Sequence, residues 1–224
     1  KKYYIYNHDI NDPKNFKNLK LLNNKNKKEL KIAKDYFKKK FDGTFRDEVN
    51  KNFTNKQTQN LLPDLPKNKK IITYFTSTEY EQAAYIKLKF DQIKIFKKFY
   101  SILKNSKNIH LFIRVHPSLS SGDDKIWIPF KKNNVSVISS SSKIDTYALM
   151  RQSNLVCGYS SKIVLESAYL NIPTICFKDF GWPKRMGILY GEKKKQIKRN
   201  FNISLNNKIK FDLNKILSVS YFYS

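Results

Sequence analysis

Three short stretches of this sequence carry residue types suited to phosphate and proton chemistry: Arg114-Val115-His116-Pro117, Gly158-Tyr159-Ser160-Ser161, and Glu166 within IVLESAY. Histidine as a residue type titrates near neutral pH, so at the mouth of a site His116 can bond a phosphate oxygen or act as an acid toward a leaving nucleotide. The other reading is a ring satisfied by a backbone carbonyl. Gly158 permits a tight turn into a helix whose leading N–H groups and dipole, with the hydroxyls of Ser160 and Ser161, make an anion site. Alternatively, Ser160 only caps that helix. Glu166 lies among the apolar Ile163, Val164, Leu165 and Ala168, where a carboxylate needs a partner. Ligand hydroxyls and a cation such as Arg114 are the two choices. Glu166 stands five residues after Ser161, about 7.5 Å along a helix, an offset that suits a phosphate and the ribose attached to it.

These residues need a scaffold that brings them to one edge, and the hydrophobic pattern provides it. Lys70 to Phe75, Ile109 to Val115, Val135 to Ser139, Asn154 to Cys157 and Ile172 to Phe177 read as buried strands. Between them, TSTE offers capping boxes at Thr76 to Glu79 and Thr78 to Glu81. The helix they start should run to Leu103 and bury Ala83, Ile86, Phe90, Ile93, Phe96, Tyr100 and Leu103. Thr146 to Gln152, capped by Asp145, and Ser161 to Leu170 are further helices. Alternation of helices with strands that are apolar throughout indicates an α/β, doubly wound parallel sheet, Rossmann-like, covered on both faces. In such sheets ligands bind beyond the carboxyl ends of the strands, which is where Arg114, His116, Gly158, Ser160 and Ser161 fall. The loop Ser139 to Ser142 leaves a strand on the same side and is either a holder for a nucleobase or a plain polar loop.

The expected organisation has three parts. Residues 1–66 are a Lys/Asn-rich stretch with one helix, KKELKIAKDYFKKKF, and read as the remnant of an amino-terminal domain or a linker. Residues 67–195 form the Rossmann-like α/β domain, and 196–224 form a basic, helix-containing tail. Cys157 and Cys176 each end an apolar run and read as reduced core residues. Three histidines and two cysteines at unrelated spacings do not make a metal site, and the expectation is no metal.

The net charge is +26, which by itself points to nucleic acid, an anionic membrane surface or an acidic polymer. Its texture argues against nucleic acid. The arginines are Arg46, Arg114, Arg151, Arg185 and Arg199; all other cations are lysines mixed with asparagine, isoleucine and tyrosine, whereas base and phosphate reading favours arginine. A solvated face, with peripheral membrane contact as the other use of the charge, is the reading taken. No run of about 18 apolar residues and no leader pattern occurs, so the expected location is the cytoplasm, at the inner face of the membrane. The sequence does not begin with methionine.

Taken in order, FTSTEYEQ, FDQIKIF, RVHP, a serine-rich loop with IDTYALM, and GYSSKIVLESAYLNIPTICF resemble the core of bacterial capsule polysaccharide biosynthesis proteins over roughly Lys70 to Phe177. That family is GT-B-like, and similar His-Pro and Ser-Ser motifs occur in bacterial sialyltransferases, Kdo transferases and the glycerophosphate polymerases of teichoic acid. The resemblance implies the donor-binding half of a glycosyltransferase. Within it, His116 would contact the donor phosphate or leaving group, Ser160 and Ser161 the phosphate, and Glu166 the nucleotide's sugar. It further implies a CMP- or CDP-linked sugar as donor substrate, no separate cofactor, a glycan or lipid-linked acceptor, and displacement at the anomeric carbon without an obligatory metal. Catalytic bases in such enzymes commonly come from an amino-terminal acceptor domain. His8, Asp9, Asp42 and Asp47 are available here, and spacing singles out none of them. Two other functions fit part of the pattern: a sugar-nucleotide epimerase on the same fold, and a basic module that binds nucleic acid or membrane.

Overall fold

A computed structural model describes residues 19–44, 56–78, 90–104, 106–120, 122–159, 161–178, 183–206 and 209–224. Among them six strands form one sheet: β1 (Lys70–Phe75), β2 (Ile109–Arg114), β3 (Val135–Ile138), β4 (Leu155–Gly158), β5 (Thr174–Cys176) and β6 (Leu189–Tyr190). Every pairing between them is parallel, in the spatial order β3-β2-β1-β4-β5-β6. The central strands are apolar on both sides because both sides are covered; β2 is buried at every position. Even and odd residues of each strand then serve different cores.

One face is covered by α2 (Gln92–Leu103) and α5 (Lys194–Asn206), together with two tight 3-10 turns at Asp123–Ile126 and Ile128–Phe130. Its core joins Ile72, Tyr74, Leu111, Ile113 and Cys157 to Phe96, Phe99, Trp127 and Phe201. The other face is covered by α1 (Lys27–Phe41), α3 (Thr146–Arg151), α4 (Ile163–Tyr169) and α6 (Leu213–Tyr223). There Phe75, Val156 and Cys176 meet Phe37 of α1, Leu165 of α4 and Leu217 of α6. This is the doubly wound α/β sheet that the hydrophobic pattern predicts, and both cysteines are buried in it as thiols, neither in a disulfide.

Three expectations need correction. The long helix expected to run unbroken from the TSTE segment to Leu103 is interrupted at Phe90 and Asp91, and α2 begins at Gln92. Residues 79–89, with Glu79 and Glu81 of the capping boxes, lie outside the described residues. The buried stripe of α2 is Gln92, Ile95, Phe96, Phe99 and Leu103, whereas Ile93 and Tyr100 are only partly buried. Ring contacts from distant segments select that stripe: Phe99 meets Phe177 at 5.0 Å and Phe201 at 6.1 Å. Finally, the sheet runs one strand further than expected, through β6, which pairs with β5.

The first and last described helices, α1 and α6, meet on one face. The Leu22 amide donates to Ser218 Oγ at 2.7 Å and Ser220 Oγ donates to the Ala33 carbonyl at 3.4 Å, so α1 and α6 share one core with α4.

His110, buried at the start of β2, bonds Ser136 Oγ through Nε2 at 2.9 Å. Burial, and after it the charge of Lys69, lowers its pKa. The unfolded chain therefore takes up this proton more readily, and the stability contribution is present above about pH 6.5 and lost as pH falls below it. Wild type is expected to lose stability more steeply than His110→Gln on acidification from that pH, in denaturant titrations at a series of pH values. Equal slopes would remove His110 as the cause.

Candidate functional site

In this strand order the chain reverses direction across the sheet between β1 and β4, and beyond the carboxyl ends of two such strands is where open parallel sheets have their ligand crevice. The segments that leave β1, β2, β4 and β5 start at that edge of the sheet. After β1 come Thr76, Ser77 and Thr78, all buried despite being polar. Thr76 ties two strand ends together: its amide donates to the Arg114 carbonyl at 3.1 Å, and its Oγ1 accepts from the His116 amide at 2.9 Å. His116 is thus fixed at the backbone and is half-buried just beyond the carboxyl end of β2.

The ring is oriented as well. The Ser118 amide donates to His116 Nδ1 at 3.2 Å, and Ser118 Oγ lies 2.6 Å from the same nitrogen. A backbone N–H can only donate, so Nδ1 is the acceptor and the neutral ring carries its proton on Nε2. The sequence placed His116 at a strand end, but the sequence could not supply this tautomer. Pro117 matters indirectly, because the chain turns there and brings Ser118 back beneath the ring.

Arg114 does not reach Glu166. It is 1% exposed and its guanidinium donates to the carbonyls of Ser139 and, at 3.3 Å, Ser142. Burial lowers its pKa to about 10, with Asp124 acting in the opposite sense, so it stays a cation at neutral pH. Asp124 grips the same turn from the other side, accepting from Ser139 Oγ and from the Ser140 amide at 3.1 Å. Asp145 accepts from the amides of Tyr147 and Ala148, which is the helix cap expected of it, and also from the Asn60 amide at 2.9 Å. The Ser139 to Ser142 loop is therefore a built turn held by a buried cation and a buried carboxylate.

Glu166 is 3% exposed, and its partner is Lys40 of α1 at 3.2 Å, itself 8% exposed. Of the two kinds of partner open to Glu166, a cation fills the place, and that cation is Lys40 rather than Arg114. Ser161 is half-buried; its Oγ accepts from the Ile163 amide at 3.4 Å and its carbonyl from the Val164 amide at 3.1 Å. The helix begins at Ile163, two residues beyond the expected start. Ser160 lies outside the described residues, as do His8, Asp9 and Asp47 among the candidate bases. Asp42 ends α1.

Gly158 serves a different purpose from the one its turn suggested. Its φ does not lie in the left-handed region, but a Cβ there would stand 2.7 Å from Val164 Cγ1. Its missing side chain lets α4 approach β4, rather than letting the chain turn.

Sequence reasoning missed the opposite wall. The Tyr159 hydroxyl donates to Asp91 Oδ1 at 2.7 Å and accepts from the Asp91 amide at 3.1 Å; burial raises its pKa. Lys178 reaches Glu192 at 3.1 Å and Asp91 at 3.8 Å. Gln92 accepts from the Ser77 amide at 2.7 Å and donates to its carbonyl at 3.0 Å, which fixes the exit of β1. Lys178 follows β5 directly, so the strand-end rule that found His116 could also have found it. Asp91 carried no such signal. Among the described residues no cluster of His, Cys, Asp and Glu could hold a metal ion.

No protein-family model and no curated protein matches this sequence. Solved structures do match in fold. The chain is similar to KpsC of Thermosulfurimonas dismutans, a beta Kdo 2,4 transferase, with 14% identity and a TM-score of 0.53 over 94% of this chain and 62% of that one. It is also similar to the UDP-GlcNAc 2-epimerase of Methanocaldococcus jannaschii, solved in complex with UDP-GlcNAc and UDP, with 15% identity and a TM-score of 0.50 over 84% of this chain and 51% of that one. The chain thus spans between about half and two thirds of the length of these two proteins. The resemblance read from its motifs holds at the level of fold: a Rossmann-like α/β unit of the GT-B-like kind.

Proposed function

We propose that this chain is the donor-binding part of a glycosyltransferase of capsule or other surface polysaccharide synthesis, and that its donor is a CMP- or CDP-linked sugar. The observation that carries the reading is His116. It stands beyond the carboxyl end of β2 at the switch point, with Nδ1 engaged by Ser118, so that in the neutral ring the proton is on Nε2. A donor there would place its phosphate between that N–H and the Ser160-Ser161 turn. His116 would stabilise the charge that develops as the bond from the anomeric carbon to the phosphate oxygen breaks, or protonate that oxygen. Arg114 acts from behind by fixing the Ser139 to Ser142 turn, which would hold the base. Glu166 fixes α4 through Lys40 and is available to the nucleotide's sugar only if that pairing loosens.

Calorimetric titration of the chain with CMP, CDP, UMP and UDP tests this. Cytidine nucleotides are expected to bind most tightly, and His116→Ala and Ser160→Ala/Ser161→Ala are each expected to weaken them by about tenfold, the worth of one lost charge-assisted hydrogen bond. Absence of nucleotide binding, or binding indifferent to both changes, would sink the proposal.

The likeness to the archaeal epimerase supports a second reading, epimerisation of a nucleotide sugar on the same scaffold. Solvent deuterium entering the sugar during turnover by the full-length protein would select it; its absence leaves the transferase.

A further inference from the structure

The positive charge is not spread evenly in kind. On the face formed by α2 and α5, residues 92–107 and 193–206 contain no acidic residue. Lys94, Lys97, Lys104, Lys193, Lys194, Lys195, Lys198 and Arg199 are all exposed there. The two helices are neighbours, joined by Phe99 and Phe201.

Beside α2 sit the 3-10 turns, anchored by Trp127 and Phe130 against Phe96 at 5.1 and 4.9 Å. They hold Ile126 and Ile128 outward, 53% and 55% exposed, on either side of the buried Trp127. A single exposed isoleucine is ordinary. Two of them on a turn fixed by hydrogen bonds from Trp127, Phe130 and Lys131 amides, flanked by the exposed Lys125, Lys131 and Lys132, form an apolar tip inside a cationic field. The nearest acids are engaged: Asp123 with Ser120, Asp124 with Ser139 and Ser140, and Glu192 with Lys178.

We propose that this face docks on an anionic lipid bilayer, with Ile126 and Ile128 entering the headgroup boundary and the lysines of α2 and α5 lying against lipid phosphates. Apolar tips ringed by cations suit an interface that is anionic outside and oily beneath, a combination that a soluble polyanion lacks. The α1 surface offers the contrast. It too bears exposed lysines, but Glu29 and Asp35 interrupt them and Lys20 pairs with Glu29 at 3.7 Å. Because α2 and α5 both start at the carboxyl edge of the sheet, docking would set the crevice next to the bilayer. The inference stands on the surface alone and does not rest on the nucleotide reading.

Sedimentation with vesicles of phosphatidylcholine containing about one third phosphatidylglycerol, at physiological salt, tests it. The chain is expected to bind these and not pure phosphatidylcholine. Each cation near such a surface contributes about a fivefold gain. Lys94→Glu, Lys97→Glu, Lys194→Glu and Lys198→Glu together are therefore expected to weaken binding at least about a hundredfold. Lys27→Glu, Lys31→Glu, Lys34→Glu and Lys38→Glu, on the opposite face, should change it by less than about fivefold, since screening limits their reach. Ile126→Ser/Ile128→Ser should cost at least about tenfold while leaving retention on single-stranded RNA unchanged. Equal losses from the two lysine quartets, or vesicle binding indifferent to the isoleucines, would overturn the proposal and leave diffuse charge or nucleic acid as the partner. Calorimetric nucleotide binding by the same variants separates this outcome from failure at the crevice.

Discussion

Lys40→Met is expected to destabilise the chain by about 3–5 kcal/mol, because it leaves the Glu166 carboxylate buried without its ammonium partner. The pair spans 3.2 Å between α1 and α4, and both members are buried. Desolvating two charges costs nearly what their attraction returns, so the pair itself contributes little net stability; the large effect comes from orphaning one member. Glu166 also faces Tyr147, whose pKa is raised by burial first and by the carboxylate next. Replacing the whole cluster, as Lys40→Met/Glu166→Leu/Tyr147→Phe, is therefore expected to return stability to within about 2 kcal/mol of wild type. Denaturant unfolding of the single and triple variants decides it. A cost below about 1 kcal/mol for Lys40→Met would mean that water reaches the carboxylate and the pair is not sealed.

The second large effect is expected at Gly158. A methyl group there would overlap Val164 Cγ1, and Val164 is fully buried with a stiff, branched side chain, so neither partner yields easily. Overpacking of this kind costs about 1–3 kcal/mol. It should also push the start of α4 away from β4 and with it Ser161. A displacement approaching an ångström at a phosphate contact is expected to weaken cytidine nucleotide binding by about tenfold or more. The double variant Gly158→Ala/Val164→Ala separates the causes. Val164→Ala removes the clashing methyl and should restore nucleotide affinity, although the chain remains less stable than wild type for lack of buried methyls. Affinity that stays low in the double variant would mean that Gly158 acts through its backbone conformation instead.

Much of the scaffold was legible because it depends on short-range pattern. KIITYF and KKELKIAKDYFKKKF give β1 and α1 with the bounds that the periodicity predicts. Asp145 caps α3 because a short carboxylate before a helix bonds the next free amides whatever surrounds it. The reading weakened where distant segments choose between nearly equal local options. On α2 the chain offers apolar residues on more than one side, and Phe177 and Phe201 settle which of them turns inward. β6, with two residues, has no pattern of its own and exists because β5 presents an open edge.

The same division runs through the candidate site. Residue type and strand-end position were enough to single out Arg114, His116, Gly158, Ser160 and Ser161, since apolar runs followed by polar residues mark the carboxyl edge of a parallel sheet, and Glu166 stood out as a carboxylate among apolar helix neighbours. Partnerships were not readable in this way. Glu166 was short of a counterpart in the sequence, with ligand hydroxyls and a cation such as Arg114 as the two choices. Arg114 and Glu166 lie instead at separate anchorages: Arg114 meets carbonyls on the turn after β3, and Glu166 meets a lysine more than a hundred residues earlier on α1. Likewise the proton on His116 Nε2 follows from the Ser118 amide folding back on the ring. By itself the sequence determined which residues are polar at which strand ends, because periodicity and burial are properties of neighbouring positions. Tertiary structure alone decided which charge faces which and which ring nitrogen keeps its proton, because a buried polar group takes whatever partner the packing brings within about 3 Å.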